Sequence, residues 1–164
     1  MNPNIKVFCL FIEMSQKQKV IETAEELEQC EDCGFFDFDE EVHLARVTKC
    51  YDGDTVHCVF KHDEVYQKFH VRMDGYDSWE MRANNKVAEP MRTELVQKAL
   101  AAKERLEELV LGKNVYLYCG KFDKYGRILG VIRLKKSGET VNDLMIKEGH
   151  GYVYHGGTKH KSND

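Results

Sequence analysis

From Leu44 onward the apolar residues of the chain fall on alternate positions. Val56, Cys58 and Phe60 share one parity while Thr55, His57 and Val59 take the other, and Phe69, Val71 and Met73 alternate with His70, Arg72 and Asp74. A period of two marks strands with one face in a core. Val47 to Tyr51 and Val56 to Phe60 flank the turn Asp52-Gly53-Asp54 and predict a hairpin-like pair; the run ending at Met73 extends it to a three-stranded meander. On that third strand Arg72 projects from the face opposite the apolar one.

After Pro90 the period changes. Met91, Leu95, Ala99, Ala102, Leu106 and Leu109 recur at helical spacing, and this stripe reads as core. Pro90 suits a first helical turn because the N–H it lacks would be orphaned there, and Gly112 supplies a stop. Val115, Leu117 and Cys119 predict a fourth strand. Ile128 to Leu134 predicts a fifth, nearly continuous in apolar residues and so expected to be buried on both faces. Thr140-Val141-Asn142-Asp143 has the form of a capping box for a short helix ending at Gly149. The expected fold is mainly β with α: an OB-type five-stranded barrel, a long helix after strand 3 and a short C-terminal helix.

Upstream, Ser15 can cap a short helix with Val20, Ile21, Ala24 and Leu27 on one face, and Cys30 to Glu41 reads as an acidic linker. The expected division is an acidic N-terminal extension, residues 1–42, before a barrel domain, residues 43–164. At 164 residues, 42% hydrophobic and 32% charged, the chain can bury a real core. The longest early apolar run, Val7 to Ile12, is too short to span a membrane, and no small-residue cleavage site follows it. The expectation is a cytoplasmic protein with no membrane association and no stable protein partner evident.

The net charge of -4 hides an asymmetry. Residues 1–45 carry three lysines against eleven acids, a balance of -8, whereas the remainder carries 21 basic and 17 acidic residues, +4. A mildly basic body is compatible with a polyanionic partner. Cys50, Cys58 and Cys119 fall in apolar strands and read as small core hydrophobes, which favours a reducing compartment. Cys30 and Cys33 have a metal-ligand spacing, but no second such pair completes a zinc site.

The chemistry gathers in two stretches, Tyr51 to Thr55 and Phe69 to Glu80, where carboxylates sit on turns at strand ends with one guanidinium among them. Like charges raise each other's pKa, so crowded acids call for something positive. A hard cation held by oxygen ligands and a substrate phosphate held by the arginine both answer that need.

Four blocks occur in order: Tyr51-Asp52-Gly53-Asp54-Thr55-Val56; Arg72, four residues, then Asp77-Ser78-Trp79-Glu80; Asp123-Lys124-Tyr125-Gly126-Arg127; and Val141-Asn142-Asp143. In this order and spacing the chain resembles the staphylococcal (thermonuclease-like) nuclease family over roughly Leu44 to Tyr154. Its end, Tyr154 to Lys159, is similar to the shorter members from eukaryotes and their viruses.

The resemblance implies a calcium-dependent phosphodiesterase acting on DNA and RNA and leaving 3'-phosphate ends; phosphate grip plus base stacking carries no base code, so single-stranded DNA and RNA cut with low sequence specificity are the expected substrates. It further implies Asp54, Asp77 and the Ser78 carbonyl as Ca2+ ligands, and Glu80 as the residue that orients or deprotonates water. Arg72 and Arg127 would hold the phosphate, with Lys124, Tyr125, Tyr152 and Tyr154 as substrate contacts. Trp79 departs from the proline frequent at its position and is either a core anchor or a surface on which a base stacks. The alternative function is a catalytically inactive OB-fold module that binds nucleic acid or a protein partner.

Overall fold

The structure is a computed structural model that describes residues 34–81 and 88–156, together with Glu28. The Val7–Ile12 run, the helix expected after Ser15, and Cys30 and Cys33 lie outside the described residues.

Strands β1 (Val42–Cys50), β2 (Thr55–His62) and β3 (Val65–Met73) form the expected antiparallel meander. β5 (Asn114–Phe122) and β6 (Ile128–Arg133) close it into a five-stranded barrel of order β1-β2-β3-β6-β5, in which the β3–β6 pairing is parallel. A parallel neighbour requires a long crossover, and the helix α1 (Met91–Val110) provides it. The helix α2 (Val141–Lys147) follows β6. The expected OB-type barrel with two helices is therefore the fold observed.

Alternation was the right guide to the interior. Val56, Cys58 and Phe60 of β2, Val71 and Met73 of β3, and Val115 and Leu117 of β5 are all essentially buried. β6 departs from expectation, because its residues alternate between buried and half-buried and only one face lies in the core. Its outward Leu129, Val131 and Arg133 are partly covered, so an apolar run here signals a half-covered strand. On α1, Ala99, Ala102, Leu106 and Leu109 are buried as the stripe requires, but Met91 is exposed and Leu95 only half-buried. The helix meets the core with its C-terminal half and stops at Val110, followed by Gly112 at φ +69°, which a side chain would resist.

The barrel's compact unit begins at Asp37, six residues before the expected domain start at 43. Phe38 is fully buried and meets Phe60, Phe69 and Phe122 edge-on at 5.5, 5.2 and 5.7 Å. Burying such a ring contributes on the order of 2–3 kcal/mol. Backbone bonds between Glu40, Glu41 and Cys119 tie this segment to β5. Cys50, Cys58 and Cys119 are free, buried thiols, pushed up to about 12 chiefly by burial.

A second, two-stranded sheet, absent from the sequence reading, pairs β4 (Tyr76–Ser78) with β7 (Gly151–Val153). α2 links it to the barrel. Thr140 caps the helix by accepting from Asp143 N at 2.9 Å, as its sequence suggests. Buried Asn142 then donates to the carbonyls of Asp74 and Gly130 at 2.7 and 3.1 Å and accepts from Ile132 N at 3.0 Å. This single amide ties β6 to the turn that leads into β4. Asn142→Ala leaves a buried N–H without its acceptor and is expected to cost about 2–4 kcal/mol. Thermal unfolding by circular dichroism measures the loss; an unchanged midpoint would contradict this role for the amide.

Candidate active site

Where the meander's first turn meets β3 and β4, five buried polar residues lie together: Asp54, Thr55, Arg72, Asp77 and Ser78. Register explains their meeting. Thr55 pairs with Arg72 across β2 and β3, so the outward Arg72 side chain lies over the turn that carries Asp54. The turn Asp74-Gly75 reverses the chain and brings Asp77 alongside. Gly53 fixes the approach, since a Cβ there would lie 2.8 Å from the Ser78 side chain and 2.9 Å from Ala102 of α1. Buried Tyr76 adds a hydrogen bond from its hydroxyl to the Gly53 carbonyl.

Arg72 spans two carboxylates. Its Nη1 is 2.8 Å from Asp54 Oδ1 and its Nη2 is 2.5 Å from Asp77 Oδ1. The second oxygen of Asp54 accepts from Ser78 N at 2.9 Å and Ser78 Oγ at 3.2 Å, and Thr55 Oγ1 donates to Oδ1 at 3.0 Å. Asp77 Oδ2 accepts from the Tyr152 hydroxyl at 2.8 Å. Asp52 lines the same space and accepts from Asp54 N at 3.1 Å.

One guanidinium does not balance this group of acids. Burial pushes Asp54 from its ordinary 3.8 up to about 7, with Asp52 and Asp77 adding to the rise and Arg72 and the Ser78 N–H opposing it. The donors are all oxygen, which suits a hard cation such as calcium and not zinc. Among the described residues no group of three or more His, Cys, Asp or Glu side chains encloses a metal. A cation would rest on the Asp54 and Asp77 carboxylates and the Ser78 carbonyl, with water completing its shell, and the grouping of Asp52, Asp54 and Asp77 about one guanidinium is the observation that fits one.

These groups open into a cleft of about 910 Å³, a volume normal for a ligand site. Glu80, Lys124, Tyr125, Arg127 and Tyr154 line it, so the structure brings nine of the ten expected site residues, Ser78 among them, to one place. Glu80 is exposed at its edge. Tyr152 is not on the wall; it holds Asp77 from behind. Arg127 is gripped by Asp123, with Nε and Nη2 both 2.7 Å from Asp123 Oδ2, and its Nη1 lies 3.4 Å from Thr55 Oγ1.

Desolvation raises Asp123, but hydrogen bonds from the Arg127 backbone and side chain and from Tyr125 N outweigh it and hold the carboxyl below its usual range. Tyr125 lies against both neighbours, 5.0 Å from Lys124 Nζ and 5.5 Å from the Arg127 guanidinium carbon. Asp52 and Asp123 were missed as site residues. The signal for both was present, an acid two residues before a site aspartate and one four residues before a site arginine. Trp79 is half-buried, with Lys98 Nζ 5.1 Å from its ring and Tyr152 5.7 Å away, and it also lines the cleft.

The raised Asp54 fixes a pH dependence for the metal-free protein. The folded state holds this proton more tightly than the unfolded one, so stability falls as pH rises from about 4 to 7 and levels off above. Asn cannot ionise. Asp54→Asn in chelator is therefore expected to exceed the wild type at pH 8 by on the order of 2 kcal/mol, with the gap closing near pH 4. Urea unfolding at several pH values measures it, and a pH-independent difference would contradict the assignment.

A family model of the staphylococcal nuclease homologue matches residues 70–164. No curated protein sequence matches the chain. The matched region contains Arg72, Asp77, Glu80 and Arg127 in the cleft just described, joined to a closed five-stranded barrel. The chain belongs to the staphylococcal nuclease homologue family.

Proposed function

We propose that the protein is a calcium-dependent nuclease that hydrolyses phosphodiester bonds of single-stranded DNA and RNA. The observation that carries this reading is the convergence, in one cleft, of two buried carboxylates on Arg72 with Arg127 and Glu80 on the same walls. Attack on a phosphodiester builds negative charge on the equatorial oxygens. Two guanidinium groups, always charged and able to bind two oxygens each, suit that charge.

Bound between Asp54, Asp77 and the Ser78 carbonyl, calcium would polarise a phosphate oxygen and neutralise its charge. Arg72, at the wall of the same cleft, would offer a guanidinium nitrogen to a phosphate oxygen. Arg127 is aimed by Asp123, which fixes the guanidinium plane before substrate arrives. Glu80 holds the attacking water by hydrogen bond or takes its proton. Lys124, Tyr125 and Tyr154 bind the flanking nucleotide, and Tyr152 acts through Asp77.

Nothing in this arrangement reads a base edge, which supports low sequence preference. Family resemblance gives 3'-phosphate products. The free thiols of Cys50, Cys58 and Cys119 support a reducing, cytoplasmic setting. No described helix is long and apolar enough to cross a membrane.

A second reading is nucleic-acid binding without hydrolysis, and the Arg72 bridge favours it, because a guanidinium already joins the two carboxylates without any cation. Degradation of a labelled single-stranded oligonucleotide separates the two. Calcium is expected to switch it on and chelator to abolish it. Glu80→Gln and Arg127→Lys are each expected to lower kcat by about 10²–10³ with binding in chelator little changed. If the folded wild type binds the oligonucleotide but does not cleave it at any calcium concentration, the binding-module reading replaces the nuclease.

A further inference from the structure

Arg72 is the last outward residue of a longer row. The face of β2 and β3 opposite the core carries Thr55 and Arg72 at one rung, His57 and His70 at the next, Val59 and Lys68 at the third, and Lys61 and Tyr66 at the fourth. β1 continues two of these rungs, with Lys49 opposite His57 and Arg46 opposite Val59. Their inward neighbours Val47, Val56, Cys58 and Val71 are fully buried, so the pleat sends Lys49, His57, His70 and Lys68 outward. Arg46, Lys49, Lys68 and His70 are exposed.

None of the three strands contains an Asp or Glu. In a chain of net charge -4 this is a marked segregation. The acids that flank these strands, including Asp52, Asp63, Glu64 and Asp74, sit in turns, and Glu64 there pairs with Lys61. The imidazoles of His57 and His70 lie face to face, 4.2 Å between centroids and 6° from parallel. His57 is held below the ordinary histidine range by burial first and then by His70, Lys49 and Lys68, whose fields all reach it. At the cleft end Lys49 Nζ lies 5.8 Å from the centre of the Tyr51 ring, and exposed Tyr51 lines the cleft itself. The cationic face is thus continuous with the phosphate site.

We propose that the outer face of β1–β3 is a track for single-stranded nucleic acid, on which Arg46, Lys49 and Lys68 hold backbone phosphates that lead away from the cleft. The proposal rests on the nuclease-family reading of that cleft but adds a surface that the cleft does not require. Successive rungs stand about 6.6 Å apart along a strand, a repeat that suits an extended backbone and not a compact helix. The exposed ring of the His57–His70 stack offers a base a flat partner, and Tyr51 another, without reading sequence. A track of this kind makes affinity grow with oligonucleotide length beyond what the cleft alone can hold.

The test replaces Arg46, Lys49 and Lys68 together by Gln and measures oligonucleotide binding in chelator, where no cleavage is needed for a readout. None of the three contributes to the core, and an unchanged thermal midpoint verifies the fold. For a 12-nucleotide single strand, binding at 50 mM salt is expected to weaken on the order of tenfold, and the slope of log affinity against log salt to fall by about 2, roughly 0.7 for each lost phosphate contact. Cleavage of a dinucleotide in calcium is expected to match the wild type, while KM for the long strand rises.

An unchanged salt slope overturns the track even if the enzyme is active. A lowered slope in a protein whose wild type cleaves nothing supports the track and removes the hydrolytic reading instead. Competition by poly-glutamate as strong as that by the oligonucleotide would assign the face to an acidic protein segment and overturn the proposal.

Discussion

A single guanidinium, held between two buried carboxylates that arrive from different parts of the chain, sets the arrangement of the rest. Asp54 comes from the turn between β1 and β2, Asp77 from β4, and Arg72 from the end of β3. Removing the guanidinium of such a bridge costs about 3–5 kcal/mol, because it strands both carboxylates out of water. The barrel therefore has to deliver all three at once. The β2–β3 register places Arg72 opposite Thr55, Gly53 lets the turn press against Ser78, and Asn142 ties the β3–β4 turn to β6.

The same bridge explains why so many neighbours are polar. Ser78 gives Asp54 two hydrogen bonds, Thr55 a third, and Tyr152 secures Asp77. Each limits the freedom of a carboxylate that would otherwise swing to solvent, so the acids are aimed before any ligand binds. The cost is visible at Asp54, whose carboxyl rises to about 7 mainly through its burial. Stability is given up to keep charge in place, a pattern expected of a site and not of a core.

The residues that were legible in the sequence are those whose patterns are local. Val56, Cys58 and Phe60 announced a strand because a period of two needs only five residues to show, and Thr140 with Asp143 announced a cap four residues long. β4 and β7 were not legible because three residues carry no period, and their pairing joins Tyr76 to Val153 across most of the domain. Phe38 was hidden for a related reason. An aromatic in an acidic segment carries no signal of the ring cluster awaiting it on β2, β3 and β5. The residues of the cleft were picked out by their block order, whereas the hold of Asp123 on Arg127 and of Tyr152 on Asp77 shows only in the folded loop and sheet.

Segregation of charge links the fold to the chemistry. An OB-type barrel closes without help from ion pairs, so its strands are free to omit acids, and β1, β2 and β3 do omit them. The acids instead crowd into the turn beside Arg72 and onto the solvated face of α1. A carboxylate added to the outer sheet would neutralise part of the positive field that His57 senses from Lys49 and Lys68, whereas one lost from the Asp52–Asp54 turn would leave Arg72 and Arg127 facing each other with less between them. The positions of the few anions on this side of the molecule are consequently as constrained as those of the cations, and both follow from where β3 ends.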